Sequence, residues 1–112
     1  VVAQKEDNPY RERALFDLAD ADARAGLTDS AFRQFRKLAE AAEQPQVRTG
    51  AAVKAALMAI DARDFAAARP LLESAASARD LPAWSAAAQT GLLRLDYEEE
   101  KYDAVAGRAE SL

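Results

Sequence analysis

Carboxylates are the only abundant side chains here that could move protons, and they gather in two places. Asp17, Asp20 and Asp22 stand close together, as do Asp96, Glu98, Glu99 and Glu100. Paired carboxylates can divide general-acid and general-base work, or hold a cation loosely. Nucleophilic catalysis needs more, because a serine or lysine must have an activating base beside it. With no histidine and no cysteine in the 112 residues, the usual base, the thiolate nucleophile and the commonest metal ligands are all missing. Acidic residues just ahead of a helix also favour the positive end of its dipole, and that ordinary role is the expected one for both groups. Neither a glycine-rich phosphate loop nor an EF-hand spacing occurs. The chain is therefore expected not to be an enzyme and to need no cofactor or metal.

Charge and hydropathy narrow the partners. A formal charge of −4 and an isoelectric point near 4.8 disfavour a nucleic-acid ligand, since neutralising phosphates takes a basic stripe. Acidic and basic residues alternate along the chain, with pairs such as Arg36 and Glu40 at helical spacing. The most apolar stretch is interrupted by Lys54, Asp61, Arg63 and Asp64, so no run reaches the length of about 20 residues that a membrane helix needs. Val1-Val2-Ala3-Gln4 has no basic flank and is too short for a signal peptide, so any targeting signal is expected outside the sequence. The absence of cysteine leaves the compartment open.

Helices must position whatever surface the chain offers. Of its residues 29 are alanine, the strongest helix former, and nothing in the composition favours a sheet. Alanine buries little area, so stability has to come from close approach of helices.

One pattern recurs at an interval of 37 positions: Ala31, Ala68 and Val105, then Phe35, Leu72 and Ala109, then Leu38, Ala75 and Leu112. Pro45 and Pro82 keep the same interval, and Pro9 precedes Pro45 by 36. Proline suits the first turn of a helix, where its missing N–H costs nothing. A helical period of this size predicts a solenoid. The expected helices run from Pro9, with Asn8 as cap, to about 25; from 29, capped by Thr28 and Asp29, to 43; from Pro45 to 62; and from Phe65 to about 79. Two more are expected from Pro82 to 97 and from Lys101 to 112. Gly26, Arg63-Asp64 and Glu98-Glu99-Glu100 form the turns within the hairpins, and Pro70 predicts a late start or slight bend in the fourth helix. Trp84, in the first turn of its helix, is expected to pack back on the fourth.

The units resemble the tetratricopeptide repeat. Gly26, Thr28 and Ala31 hold the family's places for the glycine that ends helix A, the residue that opens helix B and the small residue that follows. Arg63, Phe65 and Ala68 hold them in the second unit, and Glu100, Tyr102 and Val105 in the third. Leu15, Leu18 and Ala19 match helix A of the first unit, Ala52, Ala55, Ala56 and Ala59 that of the second, and Ala88, Gly91, Leu92 and Leu95 that of the third if one residue is inserted. Asp22 stands where the family buries an aromatic, and Arg63 and Glu100 replace the turn glycine. The resemblance implies an all-α solenoid of three helix-turn-helix hairpins in a right-handed superhelix, with repeats at about 9–44, 45–81 and 82–112. It implies a single domain, itself a piece of a longer repeat protein. Residues 8–19 look most like the longer-period bacterial repeats of envelope-associated scaffolds, which implies a periplasmic or envelope setting.

By the family's register helix A lines a concave wall. Arg13, Phe16, Asp20 and Arg24 would face it from the first unit, Val53, Leu57, Ile60 and Asp61 from the second, and Gln89, Leu93 and Tyr97 from the third. That set implies an apolar strip with a charged rim, suited to a partner helix or extended peptide. Glutamates at Leu57 and Ile60 would then abolish partner binding without loss of helicity. The lysine and asparagine clamp with which some relatives grip a terminal carboxylate is missing. The alternatives are that these side chains fill space between helices, that the chain self-associates through its C-terminal helix with Val105, Ala109 and Leu112 covered by another chain, or that it is a regulatory domain appended to an enzyme or sensor.

Overall fold

The computed structural model describes the backbone of residues 9–111 and the side chains of residues 10–103, and among them there is no strand. Five helices follow one another: α1 (Pro9–Arg24), α2 (Thr28–Ala41), α3 (Pro45–Asp61), α4 (Phe65–Ala76) and α5 (Pro82–Ser111). Pro9, Pro45 and Pro82 each open a helix, at the spacing that predicts it. Asn8, the expected cap of the first helix, lies outside the described residues.

The ends of α1 and α3 are the same structure built twice. After α1 the Gly26 N–H donates to the Ala23 carbonyl (3.1 Å) and Leu27 N–H to Asp22 (2.9 Å); after α3, 37 residues on, Arg63 donates to Ile60 (3.0 Å) and Asp64 to Ala59 (2.8 Å). This paired bonding is the Schellman closure, whose penultimate residue must turn left-handed. Gly26 does so at φ 86° and Arg63 at φ 65°. Glycine meets that demand freely, whereas arginine bears a steric cost between its Cβ and carbonyl oxygen. The following helices start differently. Asp64 caps α4, its Oδ1 accepting from Ala67 N–H (3.3 Å). The expected Thr28 and Asp29 cap is not formed, because α2 already begins at Thr28 behind Leu27.

Short turns make sequential helices antiparallel. The start of α4 meets the far part of α5, where Phe65 and Tyr102 rings lie edge to face at 6.0 Å. Its end meets the start of α5, where Ser85 Oγ donates to the Ala76 carbonyl (2.8 Å). Pro70 sits inside α4, which nonetheless starts at Phe65. Helix α3 is central, in contact with all four others. Ala31, Phe35 and Leu38 of α2 and Ala68, Leu72 and Ala75 of α4 are buried on either side of it. Alanines 51, 52, 55, 56 and 59 on α3 are buried too, and their small side chains let the neighbouring backbones approach.

The expected third hairpin is corrected. Segment 82–111 is one helix of 30 residues, and Glu98-Glu99-Glu100 continues it instead of turning. No glycine stands there to take the left-handed position, and glutamate is a good helix former. Two arginines also hold that segment straight: Arg63, in the turn before α4, pairs with Glu98 (2.9 Å), and Arg69 of α4 with Asp96 (2.8 Å) and with Glu99.

Candidate functional site

Helices α1, α3 and α5 run side by side in the same direction and touch along a ladder of residue pairs at nearly constant spacing. A Cβ built on Gly50 would stand 2.8 Å from Trp84 Cζ2 and 3.3 Å from Phe16 Cε2, so both rings rest on that glycine. One turn along, Lys54 Nζ meets Asp20 Oδ1 at 3.4 Å, 34 residues apart. Farther on Leu57 lies over Gly91, and Arg94 Nη2 bonds Asp61 Oδ1 at 2.5 Å. The glycines matter because a side chain at Gly50 would press on the Trp84 ring, and one at Gly91 on Leu72 of α4, whose Cδ2 stands 2.8 Å from the Cβ position, while Leu57 at 3.6 Å would keep ordinary contact.

Several expected surface residues fall on this layer. Phe16 and Leu57 are half-buried, and Leu93 and Tyr97 are 73% and 64% exposed. Exposed Arg13 pairs with Asp17 (3.4 Å), and Arg24 with Asp20 (2.6 Å). Gln89 and Asp61 are also exposed. Val53 and Ile60 are not part of any open surface, at 1% and 0% exposure. They belong to one cluster with Leu72, Ala88 and Leu95, so the flanking helices α4 and α5 turn that side of α3 into core. A glutamate at Ile60 would therefore unfold the chain and say nothing about binding. Val105, Ala109 and Leu112 lie outside the residues whose side chains are described.

At one end of the layer Arg13, Phe16, Gln46, Val47 and Trp84 enclose a shallow hollow of about 130 Å³. Trp84 thus seats on α3 and α1, its ring 6.4 Å from Phe16, which in turn lies 5.3 Å from Phe35. On the opposite side a hollow of about 330 Å³ opens between α2, α3 and α4. Its cations are engaged, Arg36 by Glu40 (3.7 Å) and Arg48 by the Ala42 carbonyl (3.1 Å).

The two carboxylate groups do not assemble into acid and base pairs. Asp17, Asp20 and Asp22 point to different partners: Asp22 accepts from Ser30 Oγ (3.2 Å) and Gln34 Nε2 (2.7 Å) of α2. Partial burial pushes the Asp20 carboxyl up, but Lys54 and Arg24 beside it outweigh that and hold it below the usual carboxylate range. Hydrogen bonds to Asp96 and Glu99 hold Arg69 more firmly protonated than a free guanidinium. Among the described residues no cluster of acidic, histidine or cysteine side chains could hold a metal, and no helix is long and apolar enough to cross a membrane.

Sequence reasoning missed one positioning residue. Glu12 of α1 accepts the Glu43 N–H on Oε2 (2.7 Å) and the Gln44 N–H on Oε1 (3.0 Å), closing the start of α3 from outside. The signal was an omission: no serine, threonine, aspartate or asparagine precedes Pro45, and Gln44 offers no side-chain cap.

Comparison with protein-family models, with curated proteins and with solved structures gave no match.

Proposed function

We propose that the chain is a protein-interaction module of the tetratricopeptide type, which docks a partner helix or extended peptide across the face of α1, α3 and α5. The observation that carries this reading is the ladder of lateral contacts at one spacing, which leaves a strip of unlike character along its exposed side. Phe16 and Trp84 offer an aromatic hollow at one end, Leu57 the middle, and Leu93 and Tyr97 an exposed apolar end. Arg13, Lys54, Asp20, Arg24, Asp61 and Arg94 edge it with charges that are mostly paired among themselves. Apolar anchors between paired charges suit an amphipathic peptide, which gains area in the strip and orientation from the rim. Support for the repeat assignment comes from the identical Schellman closures 37 residues apart and from the buried Ala31, Phe35 and Leu38 matching Ala68, Leu72 and Ala75. Helix α5 departs from the family by running straight through its turn.

The test is selection of peptides from a displayed random library on the immobilised chain, followed by competition with Leu57→Glu. Leu57 is half-buried at the middle of the strip, so the variant must first show unchanged helicity. Binders lost on Leu57→Glu and on Phe16→Ala support the reading. A selection that yields no binders, or binders indifferent to both substitutions, refutes it.

A further inference from the structure

The layer of α1, α3 and α5 ends in an apolar stripe on each side. On α1 the outer stripe is Ala14, Leu15, Leu18 and Ala21, with Leu15 38% and Leu18 52% exposed. One repeat later the same positions are Ala51, Ala52 and Ala55, all buried in the helical core, and Met58, which is half-buried. The α1 stripe therefore has the character of an inner face and stands in water. On α5 the stripe is Ala86, Thr90, Leu93 and Tyr97, spaced so that all four point away from buried Ala88 and Leu95.

We infer that these two stripes are made for each other: α1 of a second copy docks on the outer stripe of α5, extending the layer from one molecule to the next. This rests on the reading of that face as a docking surface and names the occupant of its Leu93 and Tyr97 end. The existing ladder supplies the register. Leu57 of α3 lies over Gly91 of α5, and Asp61 meets Arg94. Buried Ala52 and Ala88 mark the same place on α3 and α5, as Leu15 and Ala52 do on α1 and α3. Leu93 thus stands on α5 where Leu57 stands on α3, and Leu18 on α1 where Gly91 stands on α5. One more step of the ladder sets Leu93 against Leu18 of the second copy, Thr90 against its Leu15, and Tyr97 beside its Ala21. Large side chains meet small ones at two of the three places, as interdigitation requires. The helices also run parallel, as α3 and α5 already do.

Such a contact joins unlike surfaces, so it does not close at two molecules and grows head to tail. It uses one layer of helices only, which places it among the small, weak contacts. Sedimentation of the full chain from about 10 µM to about 1 mM reads it out. The average mass is expected to rise from the 12.1 kDa monomer past the dimer without a plateau. Leu18→Asp removes one stripe and Leu93→Asp the other, both at exposed positions, and circular dichroism checks that each variant keeps its helicity. Leu15→Asp and Tyr97→Asp serve if either loses it. Each variant alone should remain monomeric to about 1 mM, a loss of at least tenfold in affinity, while an equimolar mixture forms a one-to-one pair and stops. A wild-type chain that stays monomeric, a mass that plateaus at the dimer, a variant that still associates alone, or a mixture that fails to pair each overturns the inference. Leu57→Glu separates the two readings: it should abolish binding of selected peptides and leave self-association intact. Peptide binding by a strictly monomeric chain overturns only the assembly.

Discussion

Arg63 is the residue at which backbone strain can be measured without disturbing the core. Its φ of 65° lies in the left-handed region, at the place where the preceding hairpin uses Gly26. An L-residue there is destabilised by about 1–2 kcal/mol. Its guanidinium recovers part of this by pairing with Glu98 at 2.9 Å, but the arginine side chain is half-exposed, and such a pair contributes about 0.2–1 kcal/mol. Two substitutions separate these effects. Arg63→Ala loses the ion pair and keeps the strain, whereas Arg63→Gly loses the ion pair and relieves it. Glycine's extra freedom in the unfolded chain takes back about 0.5–1 kcal/mol. The glycine variant is therefore expected to be more stable than the alanine variant by about 0.5–1 kcal/mol, equivalent to about 2–4 °C in melting temperature. Within a helix the sign is opposite: at Ala21, exposed in α1, glycine should cost about 1 kcal/mol. Urea denaturation followed by circular dichroism, with a common slope for all variants, measures both differences. If Arg63→Ala equals or exceeds Arg63→Gly in stability, position 63 is not left-handed and the repeated closure of the two hairpins is wrong.

Gly50→Ala should destabilise the chain by about 1–2 kcal/mol although alanine is the better helix former, because its methyl would press on the Trp84 ring; a change in tryptophan emission should accompany the loss. Asp20→Asn should lower stability at neutral pH. The folded carboxyl titrates below its ordinary 3.8, so the stability it contributes is complete above that value and is lost as pH falls through the lower folded one. The difference between wild type and Asp20→Asn should accordingly vanish in strong acid, and a gap that persists there would show that packing, not charge, is the cause.

Much of the fold was legible because it rests on local rules. Prolines 9, 45 and 82 mark helix starts whatever surrounds them, and the interval linking Ala31 to Ala68 and Phe35 to Leu72 is a statement about which face is buried. What could not be read were decisions taken between helices. Nothing within Glu98-Glu99-Glu100 reveals that Arg63 of the turn before α4 and Arg69 of α4 will hold it straight. Val53 and Ile60 look like any apolar pair on an amphipathic helix until α4 and α5 close over them. The candidate strip was legible at Phe16, Leu57, Leu93 and Tyr97, but the part played by Trp84 depended on Gly50, a residue conspicuous only for lacking a side chain.

Glu12 ties the order of assembly to the order of the chain. Stacked helical units can in general nucleate anywhere and spread outward. Here the central helix receives the closure of its first turn from a carboxylate on the helix two places before it, so a nucleus of α3 and α4 alone starts with frayed amides. The first helix therefore acts as a keystone: a cut in the turn at 25–27 would loosen the middle of the molecule as well as its edge, and the two hairpins should melt as one cooperative unit.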